Sequence, residues 1–109
     1  MNETRKFIND LRNVGPVVGK KIDHYWTEVE KKRGEDLIEP TIGVDENGEV
    51  LFSWELGDYY FEVEFRVSAA IEGFWESGDV DEQNQYGGTK LSGPEEAAEW
   101  TAQQLSNVQ

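Results

Sequence analysis

Apolar residues in the first third of the chain recur at the spacing of α-helices. From Val18 to Val29 they fall at i, i+4, i+7 and i+11, which places them on one side of a helix that faces a core. A Gly-Pro pair separates this segment from an earlier amphipathic one, and glycine commonly ends a helix where proline begins the next. The pattern predicts helices over residues 4–14 and 17–33.

In the middle of the chain apolar residues alternate with polar ones. This period of two is typical of β-strands that bury one face. It predicts strands over residues 40–45, 49–56, 59–67 and 71–77. The acidic stretch that follows is expected to be irregular, and a last amphipathic helix is predicted over residues 94–107.

Turns between the strands set their register. Glu46-Asn47-Gly48 fits a three-residue hairpin loop with glycine in the left-handed position, and Gly57-Asp58 fits a two-residue type II′ turn. A third loop, also of three residues, is placed after Val67. Because directly opposed residues share a face, these loops predict an inner face of apolar pairs. The predicted pairs are Val44–Val50, Ile42–Phe52, Val50–Phe65, Phe52–Val63, Trp54–Phe61, Leu56–Tyr59, Val67–Ile71 and Val63–Trp75.

Together these elements predict an α+β fold in which residues 1–109 form a single domain. Two N-terminal helices precede a four-stranded antiparallel meander of order 1-2-3-4, and the C-terminal helix packs on one face of the sheet. A chain of 109 residues is large enough for one core.

Charge is distributed unevenly along the chain. The 23 Asp and Glu outnumber the 10 Lys and Arg, for a net charge of −13. Residues 1–33 hold eight basic and five acidic residues (+3), whereas residues 34–99 hold eighteen acidic and two basic ones (−16). Such a field repels nucleic acid and anionic membranes and attracts basic partners. The alternatives are that the acidity serves solubility alone or reflects adaptation to high salt.

Composition narrows the chemistry further. The absence of cysteine excludes disulfides, thiolate zinc sites and cysteine nucleophiles, and it fits a reducing compartment. The N-terminal segment has no continuous apolar run, so neither a secretory signal nor a membrane span is expected. We therefore expect a cytoplasmic protein without a membrane partner.

Candidate catalytic and metal-binding groups each have a simpler interpretation. His24 is the only histidine, and no nucleophile motif accompanies it. Glu62 and Glu64 lie two residues apart on one strand, roughly 7 Å by strand rise, a spacing compatible with a carboxylate hydrolase. The segment Asp45–Glu49 lacks the residue order of a calcium loop and fits a hairpin turn. We expect no catalytic residues, no metal and no cofactor.

The face of the sheet opposite the apolar pairs carries more informative residues. Strand phase places glutamates there around a few aromatic and apolar side chains, and an aromatic centre with a charged rim is common in protein interfaces. The predicted neighbours are Leu51–Glu64, Glu64–Phe74 and Glu62–Glu76. The residues predicted to bind a partner are Leu51, Glu55, Tyr60, Glu62, Glu64, Glu72, Phe74 and Glu76, with Asp79, Asp81 and Glu82 of the acidic loop. The alternatives are that a helix covers this face, or that Tyr60 and Phe74 are isolated exposed residues.

Residues 40–65, PTIGVDENGEVLFSWELGDYYFEVEF, combine an Asp-x-x-Gly hairpin, a strand with Phe and Trp, and a final aromatic-x-Val-Glu segment. This pattern resembles the hairpins of small bacterial and phage proteins in which a helical part precedes a meander, and whose genes often lie near toxin–antitoxin or defence loci. Size and acidity also resemble those of phage inhibitors of host defence, including anti-CRISPR proteins and DNA mimics.

Three functions from different classes follow as hypotheses. The first is a non-enzymatic inhibitor that blocks a basic, nucleic-acid-handling partner such as a nuclease, as an anti-defence protein or an antitoxin, without binding nucleic acid itself. The second is a structural or assembly protein that forms a homodimer through the sheet. The third is a small hydrolase that uses carboxylates.

Overall fold

The computed structural model describes residues 3–11, 16–78 and 85–107. They form three α-helices, a short 3-10 turn and five β-strands. In chain order these are α1 (Glu3–Leu11), α2 (Pro16–Arg33), the 3-10 turn (Gly34–Asp36), β1 (Thr41–Val44), β2 (Val50–Leu56), β3 (Tyr59–Phe65), β4 (Ile71–Ser77), β5 (Gln85–Leu91) and α3 (Pro94–Asn107).

The strands form one antiparallel sheet of order β1-β2-β3-β4-β5. This confirms the α+β class and the meander, and α3 packs on the sheet as expected. The prediction of four strands is wrong, because part of the stretch expected to be irregular forms β5. The first and third strands are also shorter than predicted, since β1 covers Thr41–Val44 and β3 ends at Phe65. The predicted end of the first helix, residues 12–14, lies outside the described residues.

β5 escapes the sequence pattern because its centre is Gly87-Gly88, and glycine is a poor strand former. Gly87 lies opposite Trp75, and a Cβ at Gly87 would stand 2.7 Å from Trp75 Nε1. On the neighbouring strand, a Cβ at Gly73 would stand 3.0 Å from the ring of Trp100 in α3. Two indole rings therefore occupy the space that the missing side chains leave.

The register of the first two hairpins is as predicted. Gly48 has φ 84° in the three-residue loop and Gly57 has φ 64° in the two-residue turn, so each lies in the left-handed region that its turn requires. Every pair predicted between β1 and β2 and between β2 and β3 forms. Trp54 and Phe61, one of these pairs, stack with ring centroids 4.7 Å apart.

The third hairpin differs from its predicted register by two residues. The predicted pairs Val67–Ile71 and Val63–Trp75 are wrong, and the structure has Phe65–Ile71, Val63–Gly73 and Phe61–Trp75 in their place. The backbone N–H of Arg66 donates to the Ala70 carbonyl at 2.9 Å, so the loop begins at Val67, one residue earlier than expected. Ala69 holds the left-handed position with φ 76°. Because this residue is not a glycine, no residue type signals where the loop closes.

α2 and α3 cover one face of the sheet, here called the inner face, and form the core with it. Tyr25 contacts Phe52 and Phe65 edge to face, with ring centroids 5.3 and 5.0 Å apart. Its hydroxyl shares a 2.7 Å hydrogen bond with Thr101 Oγ1, which joins α2 to α3. The buried apolar residues are Ile8, Ile22, Tyr25, Trp26, Val29, Val50, Phe52, Trp54, Phe61, Val63, Phe65, Ile71, Leu91, Ala97, Ala98 and Leu105.

α1 extends this helical layer. Arg5 donates to the carboxylates of Asp23 and Glu30 in α2, and the fully buried Ile8 joins the core. Phe7 lines a surface pocket together with Pro40 and Ile42 at β1. The described helices therefore lie on the inner side of the sheet.

Candidate functional site

The opposite side of the sheet, here called the outer face, carries none of the described helices. Its side chains alternate along each strand with those of the core, so the inner and outer sets do not mix. The outer face consists of Thr41 and Gly43 of β1, Leu51, Ser53 and Glu55 of β2, Tyr60, Glu62 and Glu64 of β3, Arg66 next to them, Glu72, Phe74 and Glu76 of β4, and Tyr86, Gly88 and Lys90 of β5.

Those predicted contact residues that the structure describes all lie on this face: Leu51, Glu55, Tyr60, Glu62, Glu64, Glu72, Phe74 and Glu76. The other three, Asp79, Asp81 and Glu82, lie outside the described residues. Leu51–Glu64 forms as predicted, but the predicted neighbours Glu64–Phe74 and Glu62–Glu76 are wrong. Because the third hairpin is shifted, the pairs there are Glu64–Glu72, Glu62–Phe74 and Tyr60–Glu76.

Arg66 joins carboxylates from β3, β4 and the first hairpin loop. Its Nη2 lies 2.9 Å from Glu64 Oε1 and 3.1 Å from Glu72 Oε2, and its Nη1 lies 3.9 Å from Glu49 Oε2. Glu64 and Glu72 are directly opposed, so the guanidinium offsets a repulsion that two like charges would otherwise produce. The hydrogen bond to Glu72 and the surrounding carboxylates raise the pKa of Arg66.

Glu64 remains in an unfavourable environment despite this ion pair. Partial burial raises the pKa of its carboxyl above 4.5, and Arg66 only partly opposes the rise. The carboxylates of three neighbours, Glu49, Glu62 and Glu72, raise this pKa further. The ionised form of Glu64 is therefore disfavoured by the surroundings that the fold gives it.

Tyr60 lies among carboxylates in the other half of the outer face. Glu55 and Glu76 oppose it on the two adjacent strands, and its hydroxyl donates to Glu62 Oε1 at 3.0 Å. Burial and the bond to Glu62 raise the pKa of Tyr60, which keeps the hydroxyl protonated as a donor. This bond orients the Glu62 carboxylate. The Glu55 side chain, on the adjacent strand, is exposed to solvent.

An aromatic pair and a shallow groove border these carboxylates. The rings of Phe74 and Tyr86 lie 6.5 Å apart between centroids, and Tyr86 is 72% exposed. A groove of ≈ 500 Å³ crosses β3, β4 and β5 beside them, with Gly88 and Lys90 in its lining. Flat rings next to carboxylates suit the stems and charged heads of arginine and lysine side chains.

The sequence pattern did not identify the residues that β5 adds to the outer face. Tyr86 and Lys90 are four residues apart and therefore lie on the same face of a strand, whereas Leu91 lies on the other face. In the structure Leu91 is buried while Tyr86 and Lys90 are exposed. This weak alternation is the one available signal, and the two glycines at the centre of the strand conceal it.

The remaining candidate groups are engaged elsewhere. His24 lies on the helical side, with its Nε2 3.5 Å from Glu95 Oε1 of α3. Asp45 Oδ1 accepts the backbone N–H groups of Asn47 and Glu49 at 2.9 and 3.0 Å, which closes the first hairpin as an Asx turn. In the described part of the chain, no cluster of three or more His, Cys, Asp or Glu side chains is arranged to hold a metal ion.

Across residues 3–11, 16–78 and 85–107, no helix has both the length and the apolar character needed to cross a bilayer. A comparison of the chain with protein-family models, curated proteins and solved structures found no match. Inference about function therefore rests on the geometry and charge of the outer face.

Proposed function

We propose that this chain is a non-enzymatic binding protein whose outer face blocks a basic, nucleic-acid-handling partner protein. The observation that carries the proposal is a sheet face without a covering helix in the described chain, on which five carboxylates stand against two cations, Arg66 and Lys90. Among the described residues, the strands contribute to the core through their inner face. Contact with a basic surface accounts for why the other face is acidic.

The arrangement of these carboxylates works against folding. Glu64 and Glu72 are directly opposed, glutamate is a poor strand former, and like charges across a strand pair destabilise it. Partial burial and, to a lesser extent, the neighbouring carboxylates raise the pKa of Glu64, so its charged form is disfavoured in the fold. Solubility needs only scattered charges on loops and helices, so a concentrated face that lowers stability is better explained by binding, since functional sites often reduce stability.

The carboxylates and aromatic rings of the outer face indicate which residues its partner presents. Surfaces that bind nucleic acid carry clustered arginine and lysine. Carboxylates attract such residues at long range and increase the rate of association. The rings of Phe74 and Tyr86 can be buried against the partner, as aromatic anchor residues are in protein interfaces. Inhibition would follow from steric and electrostatic occupation of the surface that otherwise receives nucleic acid.

The proposed setting is a cytoplasm in which a defence nuclease or a toxin supplies that basic partner. The resemblance of residues 40–65 to hairpins of small bacterial and phage proteins supports an anti-defence or antitoxin role, and so does the acidity of the chain. The absence of cysteine fits a reducing compartment.

The test compares capture from a bacterial lysate by the wild-type chain and by two folded variants of equal charge. The outer variant replaces three residues of the outer face, Glu55, Glu62 and Glu76, with lysine. It leaves the ion pairs of Arg66 intact. The control variant replaces three exposed residues away from the outer face with lysine. They are Glu35 of the 3-10 turn, Glu46 of the first hairpin loop and Glu99 of α3. Both variants change the net charge from −13 to −7.

We expect the wild type and the control variant to capture the same basic protein, and high salt to release it. The outer variant should bind that protein at least about tenfold more weakly, because three attractive contacts become repulsive. Circular dichroism establishes that each variant is folded. Equal capture by the outer and control variants would contradict the proposal.

A further inference from the structure

The two edges of the sheet are built differently. β1 spans four residues, follows Pro40 and has α1 beside it. β5 spans seven residues in continuous register with β4, contains no proline, and has Lys90 as its one charged residue. Proteins usually protect an edge strand by short length, proline, charge or a covering segment, because an open edge invites pairing. None of the described strands pairs with the free side of β5.

Alternation of the hydrogen bonds identifies the free backbone groups of β5. Arg66 donates to the Ala70 carbonyl, so Ala70 directs its backbone groups toward β3. Because these directions alternate along an antiparallel strand, the odd-numbered residues of β4 direct theirs toward β5, where they meet odd-numbered partners. The N–H and C=O groups of Tyr86, Gly88 and Lys90 consequently point away from the sheet.

We propose that two copies of the chain pair through β5, antiparallel and about a two-fold axis at Gly88. In this register Gly88 faces Gly88 of the second copy, and Tyr86 faces Lys90 of the second copy. Each of these residues then donates and accepts one backbone hydrogen bond, so none of their groups is left unpaired. The proposal goes beyond the proposed function and does not depend on it.

The side chains of β5 favour this register over one with its axis at Lys90. Lys90 lies beside Glu72 of its own copy and would meet the exposed ring of Tyr86 from the second copy, a favourable cation–π arrangement. The strand neighbour of that Tyr86 is Glu76, which adds attraction for the same lysine. An axis at Lys90 would instead oppose two like charges. In a chain of net charge −13, β5 itself contributes a cation and no carboxylate to this contact.

The pairing also has a consequence for the outer face. A two-fold axis perpendicular to the sheet keeps Tyr86 and Lys90 of both copies on the same side. The strands of the two copies join into one sheet, and the two outer faces become one continuous acidic surface.

Sedimentation velocity up to about 1 mM protein measures this association, and amide hydrogen exchange at low and high concentration locates it. We expect a dimer at the top of the range, with protection of the Tyr86, Gly88 and Lys90 amides that grows with concentration. The Gly87 and Thr89 amides face β4 and should be protected at every concentration. A monomer throughout the range would overturn the proposal, and so would protection of the first set that does not change with concentration.

Two substitutions test the register. Gly88→Pro removes the amide at the axis, on an edge where proline is tolerated, and a Cβ there stands an ordinary 3.6 Å from its nearest neighbour, the Gly73 carbonyl oxygen. Lys90→Glu replaces the cation that meets Tyr86, and Lys20→Glu on the exposed side of α2 is its control of equal net charge.

We expect Gly88→Pro and Lys90→Glu to weaken the dimer at least about tenfold, and Lys20→Glu to leave it unchanged. If the proline variant does not fold, the comparison of the two lysine variants decides. Equal dimerisation by Lys90→Glu and Lys20→Glu would overturn the proposal.

Discussion

Glu64 and Glu72 face each other on adjacent strands, and one guanidinium, that of Arg66, bridges them at 2.9 and 3.1 Å. A single cation shared by two carboxylates leaves a net negative charge in the middle of the outer face. Burial and neighbouring carboxylates raise the pKa of Glu64 in spite of Arg66. The ionised Glu64 side chain therefore opposes folding, and removal of its charge should increase the free energy of unfolding.

We expect Glu64→Gln to stabilise the fold at neutral pH, by about 0.5 kcal/mol or less because the group is partly exposed and screened. A carboxyl whose pKa is higher in the folded than in the unfolded chain binds its proton more tightly when folded. The wild type therefore gains stability relative to the variant as pH falls from the raised pKa toward 4.5. Urea unfolding of both proteins between about pH 7.5 and about pH 4.5 measures this change.

Glu35→Gln is the matched control, since it removes one charge from the exposed 3-10 turn. Its effect on the free energy of unfolding is subtracted at each pH. If Glu64→Gln destabilises the chain relative to this control at neutral pH, the outer face does not carry the repulsion described above.

Membership of the outer face could be predicted because it depends only on strand phase. The two-residue error in the third hairpin changed the partners of Glu62 and Glu64 but not their face, since side chains alternate with a period of two. The ion pairs of Arg66 require the correct register and could not be read from the sequence. The same holds for the raised pKa of Glu64, which depends on neighbours from other strands.

Among the elements, β5 shows what hydrophobic alternation cannot detect. The pattern registers side chains that a strand contributes to a core, whereas here Gly87 and Gly73 contribute space. The rings of Trp75 and Trp100 fill that space from the neighbouring strand and from α3. The other strands were found because their own side chains supply the core, and their first two turns carry glycine where the left-handed conformation is needed.

Gly73→Ala should destabilise the domain by about 1–3 kcal/mol, because its Cβ would stand 3.0 Å from the Trp100 ring and overpack the junction of sheet and helix. Gly88→Ala is the control on the opposite face of the adjacent strand, where the nearest atom is 3.6 Å away. Its effect should stay within about 0.5 kcal/mol. Urea unfolding measures both, and equal losses would mean that the indole does not lie on Gly73.

The loop between β3 and β4 permits a second test at this scale. Ala69 has φ 76°, a conformation that costs an L-residue roughly 1–2 kcal/mol. Ala69→Gly should therefore stabilise the domain by about 1 kcal/mol, whereas Gly48→Ala, at φ 84° in the equivalent loop, should destabilise it by a similar amount. Thermal unfolding at one pH compares the two, and a loss of stability for Ala69→Gly would place the loop elsewhere.

Charge is distributed unevenly over the whole molecule. The segment that contains α1 and α2 carries +3, and the later segment, which contains the sheet and α3, carries −16. Because the strand carboxylates lie on the side of the sheet opposite α1 and α2, a basic partner is attracted to the outer face in preference to these two helices. Pairing through β5 would double the acidic surface without turning either copy away from that partner.

Carboxyl labelling of the chain, alone and saturated with the captured partner, tests this orientation most directly. Mass spectrometry of the labelled peptides reports the accessibility of each side chain. We expect Glu55, Glu62 and Glu76 to lose at least about half of their labelling in the complex, because interface residues are desolvated, while Glu35 and Glu99 keep theirs. Unchanged labelling of the three outer-face residues, or protection of Glu35 and Glu99 in their place, would contradict a partner site on the outer face.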